Sequence, residues 1–342
     1  MRLAPAPVPA GPRTPEAFLP PRRRRIAWLC GAALALAGCS PAVPPAAQAP
    51  QNPEPGSSPD GRPLVLTTFT VLADMARHVA GDRLRVASIT KVGSEIHSYE
   101  PTPSDLRRAQ GAVLVLENGL NLERWSRRFT DNVQGARRVV VTEGIEPLPI
   151  RSDPLAPQGA EAPETDKPNP HAWMSPRLAK RYVDNIRDAF IALDPAGAPG
   201  YRQRAEDYKQ ELGQLDQSLR QALARVPANQ RLLVSCEGAF SYLARDYGLQ
   251  EGYLWPVNGE GQATPRRQAL LIDTVRQRKV PAVFCESTVN DKGMRQVAAA
   301  SGARYGGTFY VDSLSPPDGP APSLLKLQRH NVDLIVKGLS HG

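Results

Sequence analysis

The chain has 342 residues, 35 prolines, four cysteines and a formal charge of +8. That length exceeds the ~250–300 residues at which one core stops growing, so two lobes are expected. A hydrophobic content of 41% is too polar for a multi-span membrane protein, and no repeat period points to a solenoid or propeller. The net charge leaves nucleic acid open, and the cysteines leave a four-cysteine zinc site or two disulfides open, until their positions are read.

Four arginines, Arg22 to Arg25, precede the apolar run "IAWLCGAALALAG" at 26–38. The run is ~13 residues, shorter than the ~20 a helix needs to span a bilayer. A basic stretch followed by a short apolar one reads as a secretory signal; a basic nucleic-acid arm would lack the apolar run. The run ends "LAGC", Leu36 to Cys39, which resembles the lipobox of bacterial lipoproteins. The resemblance implies a signal peptide over residues 1–38, cleavage before Cys39 and diacylation of its sulfur. Residues 39–63 are rich in Pro, Ala, Ser and Gln and cannot form a packed core, so they read as a tether from a lipid anchor. Residues 1–38 hold six Arg and one Glu, so their removal lowers +8 to +3, and nucleic acid is no longer suggested.

From residue 64 short β-rich runs alternate with helical stretches. Strands are predicted at 64–70, 83–90, 112–117 and 137–143, and later at 231–237, 280–286 and 308–313. Thr102-Pro103 with Asp105, Ser175-Pro176 and Thr264-Pro265 read as helix starts, with an N-cap followed by proline at the first helical position. Residues 151–170, Pro-rich and mildly acidic, read as a mobile surface loop. Between the two strand series, Tyr201, Ala205, Tyr208, Leu212, Leu215, Leu219, Ala222 and Val226 recur every three or four positions. That spacing predicts one amphipathic helix over 198–226, ~40 Å long at 1.5 Å per residue. The predicted fold class is α/β, with two (β/α) lobes of parallel sheet, 64–197 and 227–342, joined by the long helix.

Two of the five histidines have unusual neighbours: His97 in "GSEIHSYEPTPSDL" and His171 in "NPHAWMSP". Glu237 ends "LLVSCE" and Asp312 ends "TFYVD". Ligands of open α/β sheets bind outside the carboxyl ends of strands, which favours a shared metal site. Strand-end carboxylates also cap helices, and spacing alone leaves both readings open.

These two histidine segments, with "SCEGAFSYLARDYGL", "YLWPVNGEGQATP" and "YGGTFYVDSLSP", resemble the metal-binding lipoproteins of bacterial ABC importers, most closely the manganese-type branch. The resemblance covers residues 64–342, with the motifs in order. It implies a metal site between the lobes formed by His97, His171, Glu237 and Asp312. It also implies delivery to an ABC permease with its ATPase subunit, from a monomer anchored through Cys39 to the outer (periplasmic) face of the cytoplasmic membrane. In zinc importers of this family a third histidine commonly stands where Glu237 is. Two imidazoles and two carboxylates suit Mn2+ or Fe2+ better than a histidine-rich set does, although Zn2+ binds such sites tightly in solution.

Cys30 leaves with the signal and Cys39 carries lipid, which leaves Cys236 and Cys285. Each precedes a glutamate at a predicted strand end. On adjacent strands ~4.8 Å apart they match the Cα separation of a disulfide, and the compartment is oxidising. The alternative is a pair of small buried hydrophobes. Two other functions keep a place: a zinc importer protein of the same fold, and a metal-dependent envelope hydrolase. The hydrolase is disfavoured because four protein ligands leave little room for water, and no H-E-x-x-H, G-x-S-x-G or P-loop is present. No enzymatic activity is expected.

Overall fold

Short, continuously apolar strands organise the body. The computed structural model describes residues 61–133, 135–151, 164–257 and 264–340; the expected signal, Cys39 and nearly all of the tether lie outside them. β1 (Leu64–Thr67), β2 (Arg85–Ser88), β3 (Ala112–Glu117) and β4 (Arg137–Val140) form one parallel sheet in the order β2-β1-β3-β4. The central strands β1 and β3 are covered on both faces. Val65, Leu114 and Leu116 pack on one side, and Leu64, Leu66 and Val115 on the other. This is why "LVL" and "AVLVL" are apolar runs rather than alternating ones. α1 (Thr70–Ala80), α2 (Pro103–Ala109) and α3 (Ser126–Thr130) lie between these strands.

A second series repeats the plan. β7 (Leu232–Glu237) pairs in parallel with β8 (Gln250–Trp255), and β9 (Ala282–Glu286) pairs in parallel with β10 (Arg304–Phe309). A disulfide between Cys236 and Cys285 joins β7 to β9, with Cα atoms 4.8 Å apart. That is the ordinary spacing of neighbouring strands, so the two ribbons meet edge to edge in the order β8-β7-β9-β10. α6 (Ser241–Tyr247), α7 (Pro265–Gln277), α8 (Lys292–Ser301) and α9 (Leu324–Leu339) complete this half.

α4 (Pro176–Leu193) and α5 (Ala198–Leu223) connect the halves. α5 buries Tyr201, Ala205, Tyr208, Leu212, Leu215 and Leu219 of the predicted stripe. Leu223 is buried where Ala222 was expected, Ala222 is only half-buried, and Val226 is buried just beyond the helix end. It packs against α1 and α4 on one side of the chain and α9 on the other, so it is a spine inside one continuous core. α9 also reaches the first half: Asp74 of α1 accepts from Leu324 N at 2.8 Å.

All three predicted helix starts are present. Thr102 forms a capping box with Asp105, Ser175 accepts from Leu178 N, and Thr264 accepts from Arg267 N. Three expectations need correction. The segment 151–170 is not simply a loop, because Pro149–Arg151 (β5) and Glu164–Pro168 (β6) pair as an antiparallel hairpin. β8 was not predicted as a strand. The last strand lies at Arg304–Phe309, not 308–313. Position 306 of that strand is glycine because a side chain there would collide with the Phe284 ring, and the pairing with β9 shifts register between Tyr305 and Gly307. Tyr310 leaves the sheet because Asn331 of α9 takes both its backbone groups, at 3.0 and 2.6 Å. Among the described residues, no helix is long and apolar enough to cross a membrane.

The disulfide closes a 49-residue separation. Cys285→Ser is expected to cost about 2–4 kcal/mol in equilibrium urea unfolding, because the unfolded chain regains the freedom of that loop. A variant as stable as the parent would show that strand packing alone holds β7 against β9.

Candidate metal centre

Each candidate ligand reaches the centre from a different connection. His97 sits on the loop after β2, and His171 precedes the single 3-10 turn Ala172–Met174 that leads into α4. Glu237 is the last residue of β7, and Asp312 follows β10. Three of the four positions thus lie at or beyond the carboxyl ends of parallel strands, where α/β sheets bind ligands. The fold brings all four together: one ligand atom from each lies within 4.8 Å of the other three. His97 Nε2 is 3.4 Å from Glu237 Oε1 and 3.7 Å from Asp312 Oδ2, and His171 Nε2 is 3.4 Å from Asp312 Oδ1. Donors ~2.1 Å from one tetrahedral ion stand ~3.4 Å apart, so the spacing suits a single ion.

The space they enclose is buried. His171 is wholly inaccessible, and Glu237 and Asp312 are 3% and 2% exposed. Both ring nitrogens of His97, Nε2 of His171 and Oδ1 of Asp312 are buried without a hydrogen-bond partner. Native interiors rarely leave such atoms unmatched, and several aimed at one point mark a ligand position. Burial pushes the Asp312 carboxyl up, but the neighbouring imidazoles of His97 and His171 outweigh it, so its pKa is lowered.

The chain fixes the ligands from behind. Asn169 Oδ1 lies 3.0 Å from His171 Nδ1 and accepts from His171 N at 3.1 Å. An amide oxygen can only accept, so Nδ1 carries the proton and Nε2 presents its lone pair to the centre. Glu95 holds the turn at His97, accepting from His97 N at 2.5 Å and from Ser98 N at 2.8 Å. Trp125 Nε1 donates to Ile96 O at 2.7 Å on the same loop. Trp173 Nε1 donates to Val311 O at 3.2 Å, which fixes the backbone just before Asp312. Sequence reasoning missed Asn169, Glu95 and Trp173. Asn169 left a signal, an Asx residue two positions before a histidine with proline between.

Glu286 lies behind Glu237 and accepts from its backbone N–H at 3.3 Å. Burial, and then the charge of Glu237, raise its pKa well above the usual carboxylate range. Cys236 and Cys285 are close enough to Glu286 to suggest a second cluster, but their sulfurs are bonded to each other and have no thiolate to offer.

Known proteins share this arrangement of sequence and fold. Residues 65–338 match the family described as zinc-uptake complex component A, periplasmic (ZnuA). The chain is 50% identical over 274 residues to the iron-binding protein YfeA of Yersinia pestis, covering 80% of this chain and 85% of that protein. It is 34% identical over 286 residues to the manganese-binding lipoprotein MntA of Halalkalibacterium halodurans, covering 83% and 91%. The Mn-bound periplasmic metal-binding protein from Candidatus Liberibacter asiaticus aligns in structure with a TM-score of 0.72 at 37% identity, over 81% of this chain and 99% of that one. The periplasmic zinc-binding protein TroA from Treponema pallidum aligns with a TM-score of 0.73 at 28% identity, over 82% and 100%. With a family match over most of its length and a half-identical relative, the chain belongs to the ZnuA family of periplasmic metal-uptake components.

Proposed function

We propose that the protein captures Mn2+ or Fe2+ outside the cytoplasm and delivers it to the permease of an ABC importer driven by an ATPase subunit. The observation that carries this is the convergence of His97, His171, Glu237 and Asp312 on one buried point, with lone pairs left unmatched. Relatives named as iron- and manganese-binding support the class of cargo. In this reading the metal is cargo, and no reaction is catalysed. Four protein ligands surround it, whereas a catalytic metal keeps a position open for water. Two carboxylates balance the charge of the dication, and two imidazoles complete a set harder than the Cys- and His-rich sets of structural zinc sites. The ion enters past His97, which lines a groove of about 640 Å³ together with Tyr99, Glu100, Arg124, Trp125 and Arg128.

The anchor is the lipid on Cys39, at the outer face of the cytoplasmic membrane, and the protein acts as a monomer. The lobes are 64–197 and 227–342, with 198–226 between them. Because α5 packs against helices from both halves, opening for release is local rather than a wide hinge motion. Small-angle scattering with and without Mn2+ checks this, and a large domain closure would contradict it.

Metal binding adds stability by mass action. Mn2+ at 100 times its dissociation constant is expected to add about 2.7 kcal/mol to unfolding, seen as a rise in melting temperature. His171→Ala and Asp312→Asn are expected to abolish the rise and weaken Mn2+ binding by more than roughly 100-fold, beyond the loss typical of groups that only support ligands. Folded variants that bind like the parent would remove these residues from the site.

Zinc is the rival cargo, favoured by the zinc-binding structural neighbour TroA and by the Irving–Williams order. Zn2+ is expected to bind in vitro at least as tightly as Mn2+, so affinity does not decide the case. Metal uptake by a deletion strain does: impaired manganese or iron uptake supports the proposal, and impaired zinc uptake alone overturns it.

A further inference from the structure

Four glutamates, Glu117, Glu123, Glu251 and Glu286, are buried with no part among the four ligands, and Glu117 is paired with Arg138 at 2.7 Å. Glu286 stands against Glu237 and belongs to the metal centre. Glu123 accepts from Asn118 N at 2.5 Å and Gly119 N at 3.3 Å and clamps the turn after β3. Glu251, on β8, begins an unbroken chain of hydrogen bonds that ends on a metal ligand. Ser241 Oγ donates to Glu251 Oε2 at 2.6 Å, Asn169 Nδ2 donates to Ser241 Oγ at 3.2 Å, and Asn169 Oδ1 faces His171 Nδ1 at 3.0 Å.

We propose that Glu251 is a positioning residue for His171, acting through Ser241 and Asn169 to set which ring nitrogen faces the metal. The proposal deepens the cargo reading above and rests on it for the role of His171.

The argument is one of polarity. A hydroxyl has one proton, and an ionised carboxylate can only accept. While Glu251 takes the Ser241 proton, Ser241 Oγ can only accept from Asn169. The amide is then held with its nitrogen toward Ser241 and its oxygen toward His171. Gly238 O takes the other amide proton at 2.9 Å. Turning the amide over would put N–H against His171 Nδ1, move the ring proton to Nε2 and block the lone pair the metal needs. The chain also crosses the molecule. Asn169 and His171 belong to the first half, and Ser241 and Glu251 to the second. Tyr242 OH reinforces the crossing by donating to Asn169 O at 2.6 Å.

Glu251 also accepts from Phe240 N at 2.9 Å, at the start of α6, so a purely structural role is the competing explanation. Protonation separates the two. Burial pushes the Glu251 carboxyl up to about 7, against hydrogen bonds from Ser241 and Phe240 N and the charge of Arg151 on β5. Arg151 is the charged group that acts on it, and the neighbours from α6, Phe240 and Ser241, are uncharged. Above that midpoint the carboxylate polarises the chain; below it the protonated acid resembles the glutamine of a Glu251→Gln variant.

The test compares wild type, Glu251→Gln and Ser241→Ala, the last interrupting the same chain should Glu251→Gln fail to fold. The first readout is the ring nitrogen signals of His171 in metal-free protein at about pH 8, where a free imidazole is neutral. The second is Mn2+ affinity across the neutral range. The proposal expects the variants to gain the Nε2-protonated ring form and to bind Mn2+ about 10-fold more weakly at that pH. It also expects the gap between Glu251→Gln and wild type to close as pH falls below about 7. Unchanged ring signals, with an affinity ratio constant in pH and only a lowered melting temperature, would overturn it and leave Glu251 as a helix cap. A wild type that binds no Mn2+, Fe2+ or Zn2+ would instead sink the cargo reading, and the ring signals would still decide the chain.

Discussion

Two carboxylates and two imidazoles are pressed into one buried space with four of their polar atoms unmatched. Without a cation, such a set is costly: like charges repel at close range, and desolvated lone pairs have nothing to bind. Two supports are local, Asn169 for His171 and Glu95 for the turn of His97, each two residues before its histidine. The other two come from elsewhere: Trp173 for the backbone before Asp312, and Glu286 for the backbone of Glu237. The surrounding fold supplies the free energy that keeps the donors convergent, and a dication relieves the repulsion.

That demand explains the stiffness of the scaffold. The strand order β2-β1-β3-β4 recurs as β8-β7-β9-β10, so each half offers the carboxyl ends of its strands as a place to mount ligands. α5 packs its whole apolar stripe into the core between them, and α9 returns to α1 through the Asp74–Leu324 contact. The disulfide lies one residue before Glu237 and one before Glu286, at the place where the β7–β8 and β9–β10 ribbons meet. Gly238 follows Glu237 because a side chain there would press on the Tyr253 ring, 2.8 Å from where its Cβ would stand. The same residue gives its carbonyl to Asn169. One short segment thus carries a candidate ligand, a crosslink and a contact between the halves.

Elements set by periodicity or by a cap were legible from the residues. The spine helix, β3 and the three Ser/Thr-Pro starts depend on neighbours within a few positions. The last strand was placed four residues late. "TFYVD" has the composition of a strand, but Phe284, distant in sequence, leaves room only for glycine at 306, which hides the start of the strand, and Asn331 draws Tyr310 out of the sheet. β8 and the β5–β6 hairpin were hidden for a similar reason: each is defined by a partner strand rather than by its own pattern.

The candidate site divides the same way. The sequence by itself determined which residues were candidates, since rare histidines and strand-end carboxylates are chemical facts of the chain. It also determined the α/β class, because alternating apolar runs and amphipathic stretches require helices over parallel strands. Spacing alone left Glu237 and Asp312 open between capping helices and binding metal. Only the tertiary structure decided that these two carboxylates share a space with His97 and His171, because their convergence depends on strands and loops as far apart in the chain as residues 97 and 312 folding to within 4.8 Å. The proton on Nδ1 of His171 was decided there too. It follows from the orientation of one amide, Asn169, which is set by contacts with Gly238 and Ser241 from the other half of the chain.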